Sequence, residues 1–413
     1  MPNTPSLPGE LAVLPLAHCA GRPATGPYPD TLKPILSLAA HAEAMAEIVD
    51  WPGYAPTPLV SLAGLARAAG VAAIHYKHEA GRFGLGSFKA LGGAYAVLRL
   101  LKKEILRRCG QHASSRELLD GKFKDLVADI TVTCATDGNH GRSVAWGAQI
   151  FGCPCVIYIH ATVSEGRRAA IAGYGAEVVR TAGNYDDAVR AADVAAKEHG
   201  WFVVSDTSYP GYTDVPRDVM QGYSVMVEEA LRQWPEVLPP THVFVQGGVG
   251  GLAAAVCAHL WERLGDARGR FVVVEPDQAA CLYASAQAGT PTAVHGELDT
   301  LMAGLACGEV SLIAWEVLAA GTADFLTIPD AAAVTGMRLL ADAPYGDTPL
   351  AAGESAVAGL AGMLMAAARP EFAAALGLGA DSRVLFFGSE GATDPVLYEQ
   401  LVGRRAEAVE GGR

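Results

Sequence analysis

The chain has 413 residues, of which 51% are hydrophobic and 18% charged, and its formal net charge is −13. That composition supplies enough apolar material for two cores, or one large lobed unit, and excludes global disorder. The acidic balance argues against nucleic acid and anionic membrane as partners.

Residues 1–55 are rich in Pro and Gly and predict an extended lead-in with little repetitive structure, apart from a helix over 36–49. MPNTPSLPGE carries no basic stretch followed by an apolar one, so no signal peptide is expected. After Thr57-Pro58-Leu59 come a short alanine-rich helix and a strand over 73–79. A glycine-punctuated loop with Gly81, Gly84 and Gly86 then leads to Ser87-Phe88-Lys89. The helix beyond it runs to a basic end at 98–108, favourable against its dipole. Residues 111–122 are polar and read as a surface excursion.

Residues 129–134 alternate Ile and Val with small polar side chains and predict a strand. The loop Ala135-Thr136-Asp137-Gly138-Asn139-His140-Gly141 follows, then a helix over 142–151. Strand, tight polar loop and helix form the unit that presents ligand-binding groups at the end of a parallel sheet. Strands over 154–159, 177–180 and 201–205 alternate with helices over 164–174 and from Asn184 onward. Asn184 is predicted as an N-cap, with Asp187 near N3. This alternation makes 129–206 a small doubly wound domain.

From Gly211 the pattern recurs on a larger scale. Strands are predicted over 241–246, 269–275 and 384–388. Helices are predicted over 252–264, 279–288, 314–320 and 331–340, and after Gly353-Glu354-Ser355. The apolar run 355–368 is too short to cross a bilayer and is broken by Gly359 and Gly362. The eight cysteines include no CxxC pair, so zinc and thioredoxin-like chemistry are not expected. A cytoplasmic protein without a resident metal is the expectation.

Two stretches carry chemistry. Lys89 sits at the mouth of a helix among Phe88, Ala90 and Leu91. Burial disfavours an ammonium there, which suits a Schiff-base lysine; a lysine snorkelling to water is the alternative. The loop Gly247-Gly248-Val249-Gly250-Gly251, leading to Leu252, lies between a strand and a helix. Its backbone N–H groups make a site for a phosphate. Gly248-x-Gly250-x-x-Ala253, with Glu275 ending the next strand, also matches a dinucleotide fingerprint and keeps an NAD-dependent oxidoreductase open. That alternative leaves Lys89 and the Asp137 loop without a task. Pyridoxal 5′-phosphate uses a lysine, a phosphate nest and a ring-nitrogen partner, which Lys89, the glycine loop and Ser389 offer.

The stretches RFGLGSFKALGGAYA, ATDGNHGRSVAW, QGGVGGLAA, VEPDQAAC and SEGATD, in this order, resemble fold type II pyridoxal-phosphate enzymes. That group contains the serine and threonine dehydratases and threonine synthase. Within it the chain most resembles the diaminopropionate ammonia-lyases, from about Tyr54 to Asp394. The resemblance implies a tryptophan synthase β-like α/β fold of two doubly wound domains with mostly parallel sheets. It implies a larger domain of residues 1–85 and 211–413, a smaller one of 86–210, and a homodimer. The implied activity is α,β-elimination of D- or L-2,3-diaminopropionate to pyruvate and two ammonia. Serine or threonine dehydration and a non-catalytic ligand sensor are the alternatives.

The resemblance also implies roles. Lys89 would carry the cofactor, Asn139 would bond its 3′-oxygen, and Ser389 would bond the pyridine nitrogen without protonating it. Asp137 stands where dehydratases have serine, and a carboxylate suits a cationic second amine. Lys89 or Asp137 would take the Cα proton, and Asp206 would be a second carboxylate. A helix N-cap for Asp137 and turn chemistry for Asp206 are the structural alternatives. His140 is read as a loop residue. Cys281 and Cys307 stand where this family can carry a disulfide, against the alternative of two reduced thiols.

Overall fold

The structure, a computed structural model, describes residues 6–136 and 138–411. The chain divides into two compact units. The larger contains Met1–Pro34, Thr57–Gly81 and Met226–Arg413, and the smaller Ile35–Pro56 and Arg82–Val225.

The described strands are β1 (Ala17–Ala20), β2 (Leu59–Ser61), β3 (Ala73–His78), β4 (Val132–Ala135), β5 (Cys155–Ile159), β6 (Glu177–Arg180), β7 (Phe202–Val203), β8 (His242–Gln246), β9 (Arg270–Pro276), β10 (Asp324–Ile328) and β11 (Arg383–Gly388). In the larger unit they form one seven-stranded sheet, ordered β1-β10-β9-β8-β11-β3-β2. Its two edge strands, β1 and β2, run antiparallel to their neighbours, and the strands between them are parallel. The smaller unit has a parallel four-stranded sheet, β6-β5-β4-β7. Both units are thus α/β with mostly parallel sheets, as the sequence predicts.

The inner strands are covered on both faces, and this explains their continuous apolar runs. Every residue of β8 is buried. The helix Ala358–Ala367 is apolar all round because it lies inside the larger core, where Leu360, Met363 and Leu364 cluster with Phe244 and Val274. Among the described residues, no helix is long and apolar enough to cross a membrane.

In the smaller unit, the lysine stretch opens the helix Ala90–Cys109, which packs closely against the helices Asn139–Phe151 and Asp214–Gln233. The small residues after Lys89 permit that approach. A Cβ on Gly93 would lie 1.9 Å from Ser143 Oγ, and one on Gly222 would lie 2.0 Å from the Leu91 carbonyl oxygen. The helix Tyr185–His199 starts with the expected Asn184–Asp187 pair, in which each side chain accepts from the other residue's backbone N–H.

Three expectations need correction. The lead-in contains a 3-10 turn at Gly9–Ala12 and the edge strand β1. Residues 111–122 contain the helix Ser115–Leu119, capped by Ser114 and Glu117, with Ser115 and Leu118 buried. The stretch after Gly211 begins with a twenty-residue helix, Asp214–Gln233, before β8.

Candidate active site

In the smaller unit, Lys89 is the N-cap residue of its helix, and its side chain keeps 20% exposure. The loop before it turns through Phe83 at φ 51, a left-handed conformation uncommon for an aromatic residue. The Phe83 ring is held between Trp146 and Trp51, with centroids 4.7 and 6.0 Å away. Arg142 Nη1 donates to the Leu85 carbonyl at 2.6 Å. These contacts fix the approach to Lys89, whose amine donates to Asp206 Oδ2 at 2.6 Å. The ammonium buried among apolar neighbours that the sequence suggests is thus a lysine with a carboxylate partner.

Asp206 follows β7. Burial pushes its carboxyl up, but the charges of Lys89 and His140 and the Lys89 hydrogen bond outweigh this and hold it well below the usual carboxylate range. His140 does more than fill a loop. Its Nε2 donates to the Val204 carbonyl at 2.7 Å, which leaves Nδ1 facing Asp206 Oδ2 at 3.8 Å. Tyr223, buried beside Lys89, is a further neighbour that the sequence does not single out; burial pushes its phenol up.

β4 leads through Thr136 and Gly138 into the helix Asn139–Phe151. Thr136 Oγ1 accepts from the N–H groups of Gly138 and Gly141 at 3.0 and 3.1 Å, which closes the turn. Asn139 is the first helical residue. Asp137 lies outside the described residues.

In the larger unit, β8 ends at Gln246 and the helix Gly251–Leu264 follows the glycine loop. Gly250 caps this helix at φ 100 and, being glycine, makes no side-chain cap bond to its first turn. A Cβ on Gly248 would lie 3.3 Å from Cys307 Sγ, so the loop is close-packed from below. Ser311 N–H donates to the Val249 carbonyl at 2.9 Å and pins the loop. The result is a rigid turn of backbone at a helix N-terminus, with the helix dipole favouring an anion.

Ser389 follows β11 and is buried. Gln246 Nε2 donates to its hydroxyl at 2.6 Å, a partner the sequence does not reveal. Glu275 is fully buried, and its carboxyl oxygens accept from the backbone N–H groups of Leu282 and Tyr283 at 2.8 and 2.6 Å. It therefore cannot serve as a ribose ligand, and the oxidoreductase alternative loses its acidic residue. Cys281 and Cys307 are held as thiols, and Cys281 Sγ donates to the Gly248 carbonyl at 3.5 Å.

Each unit by itself carries groups of the kind pyridoxal 5′-phosphate uses: a partly exposed amine in the smaller, and in the larger a glycine turn at a helix N-terminus and a buried hydroxyl. The family model described as "Pyridoxal-phosphate dependent enzyme" matches residues 51–389. A diaminopropionate ammonia-lyase of Escherichia coli (strain K12) is 41% identical over 364 residues, covering 86% of this chain and 89% of that protein. This chain belongs to the pyridoxal-phosphate dependent enzymes, in the diaminopropionate ammonia-lyase family. The crystal structure of the Escherichia coli diaminopropionate ammonia-lyase in complex with D-serine has a TM-score of 0.86 and 36% identity, covering 94% of this chain and 97% of that one. The same lyase in complex with an aminoacrylate-PLP azomethine reaction intermediate has a TM-score of 0.84 and 36% identity over the same shares.

Proposed function

We propose that this member of the diaminopropionate ammonia-lyase family eliminates ammonia from 2,3-diaminopropionate. The Cα proton and the β-amine leave, and 2-aminoacrylate is released. Water converts it to pyruvate and a second ammonia. The observation that carries the reading is Lys89 Nζ held at 2.6 Å by Asp206, in a chain 41% identical to a diaminopropionate ammonia-lyase.

The bound cofactor supplies an electron sink for the pair left when the Cα proton departs. Lys89 Nζ would be the amine that holds the cofactor. With substrate bound, Lys89 Nζ would serve as a base for the Cα proton on its own face. Asp206 would stabilise the resulting ammonium, which can return its proton to the departing β-amine. Asp137 is proposed as the second base and as a partner of that amine. The N–H groups of Gly248, Val249, Gly250, Gly251 and Leu252 offer the phosphate nest, and Gly247, whose own N–H donates to the Val274 carbonyl at 2.9 Å, anchors its start to the sheet. Asn139 is assigned to the 3′-oxygen and Ser389 to the ring nitrogen.

A homodimer in the cytoplasm is the assembly and location that this reading expects, and light scattering on the purified protein tests the former. The function is tested by a pyruvate assay on D- and L-2,3-diaminopropionate beside D- and L-serine and L-threonine. Faster turnover of a diaminopropionate supports it, and turnover of serine or threonine alone overturns it.

A further inference from the structure

Gln246 and Ser389 are 143 positions apart in sequence and adjoin at the carboxyl ends of neighbouring parallel strands, β8 and β11. Both are buried, with 2% and 5% exposure. Gln246 Nε2 lies 2.8 Å from the Phe387 carbonyl oxygen and 2.6 Å from Ser389 Oγ. A carbonyl oxygen can only accept, so the amide must turn its NH2 group toward it. One N–H goes to Phe387, and the other is left for Ser389. The Ser389 hydroxyl is therefore an acceptor toward Gln246, and its single proton points elsewhere.

We propose that Gln246 is a positioning residue that makes Ser389 a hydrogen-bond donor to the cofactor's ring nitrogen. This rests on the assignment of Ser389 to that nitrogen. A serine hydroxyl can rotate to offer either its proton or a lone pair. An N–H donated to its oxygen polarises the O–H bond, which strengthens its donation and weakens its acceptance. The ring nitrogen then meets a donor that is too weak an acid to give up its proton. Because Gln246 is also the residue immediately before the glycine loop, one side chain links the phosphate nest to the ring-nitrogen partner. Sequence patterning alone cannot reveal this, since the pair forms only in the register of the sheet.

The test is a double-mutant cycle read by cofactor affinity and spectrum, with Gln246→Met, Ser389→Ala and the double variant. Apoprotein is titrated with pyridoxal 5′-phosphate, and thermal melting verifies that each variant folds. Gln246→Met should weaken binding about three- to tenfold, the range for one net hydrogen bond, and shift the absorbance of the bound cofactor. In the Ser389→Ala background, Gln246→Met should have no further effect. An equal effect of Gln246→Met in both backgrounds would make Gln246 a structural residue and overturn the proposal. So would an unchanged affinity and spectrum in Gln246→Met while Ser389→Ala alters them. If Ser389→Ala changes nothing, the assignment of Ser389 fails and the proposal with it. If Gln246→Met does not fold, Gln246→Glu keeps the shape. Its ionised carboxylate accepts only, so above the carboxyl's pKa it should lose the wild-type spectrum. A wild-type spectrum retained in that variant with the carboxylate ionised would overturn the proposal.

Discussion

Lys89 Nζ donates to Asp206 Oδ2 at 2.6 Å, across 117 positions of chain. The helix that Lys89 caps sets one end of this pair, and the loop after β7 sets the other. A carboxylate at that distance, held ionised, stabilises the ammonium through a charge-assisted hydrogen bond and positions the free amine.

Asp206→Asn keeps the size of the side chain and removes its charge. It should lower kcat/KM for diaminopropionate by at least ~10², the low end for a lost acid–base partner, while cofactor absorbance persists. A pH effect follows as well. The folded-state pKa of Asp206 is depressed, so its stabilisation of the cofactor-free chain is present above the ordinary carboxylate pKa. It is lost as pH falls through the depressed folded value. Melting curves from about pH 5 downward should show a steeper acid loss in the wild type than in Asp206→Asn.

Gly222→Ala tests how the lysine helix is held. The new methyl would meet the Leu91 carbonyl oxygen at 2.0 Å, and neither backbone can move without shifting its helix. Overpacking of this kind costs about 1–3 kcal/mol, read as a lower denaturant midpoint. Activity should fall with it, because Leu91 is two residues beyond Lys89.

Much of this is legible in the sequence, and the exceptions have physical causes. Most strands and helices are readable because buried parallel strands are short apolar runs bounded by glycine, proline and polar turns. The glycine loop is legible because four glycines in five positions are more than a turn requires, whereas an apolar-flanked lysine is common and Lys89 stands out only through the resemblance of the stretches around it. The edge strand β1, Ala-His-Cys-Ala, has no alternation, and only its pairing with β10 makes it a strand. The helix Asp214–Gln233 carries Pro216 and Gly222, which read as breakers. The proline falls in the first turn, where it is tolerated, and the glycine serves a close helix contact. His140, Tyr223 and Gln246 gain their partners only through tertiary register, which no local pattern encodes.

Glu275 gives a pH prediction of the opposite sign. Burial pushes its carboxyl up to about 8, against the helix N–H groups that lower it. Below the ordinary glutamate pKa both states are protonated, and the contribution is fully present. As pH rises from there toward about 8, the unfolded chain binds fewer protons than the folded one, so stability falls. Denaturant titrations across this range should show a downward slope in the wild type that is reduced in Glu275→Gln. Equal slopes would place an ionised carboxylate there.

Asp137 should separate the two enantiomers. Bound by the same carboxylate and amine, D- and L-diaminopropionate present their Cα–H bonds to opposite faces, and one base cannot reach both. Asp137→Asn should lower kcat/KM for the D isomer by at least ~10² and for the L isomer by less. Equal losses would make Asp137 a binding residue, and no loss would leave it as a helix cap.

The identity of the lysine is the centre of the account. Holoenzyme reduced with borohydride and digested for mass spectrometry should carry its pyridoxyl group on Lys89. The folded Lys89→Ala protein should carry none. A reduced adduct on any other lysine, or one that survives Lys89→Ala, would contradict the account.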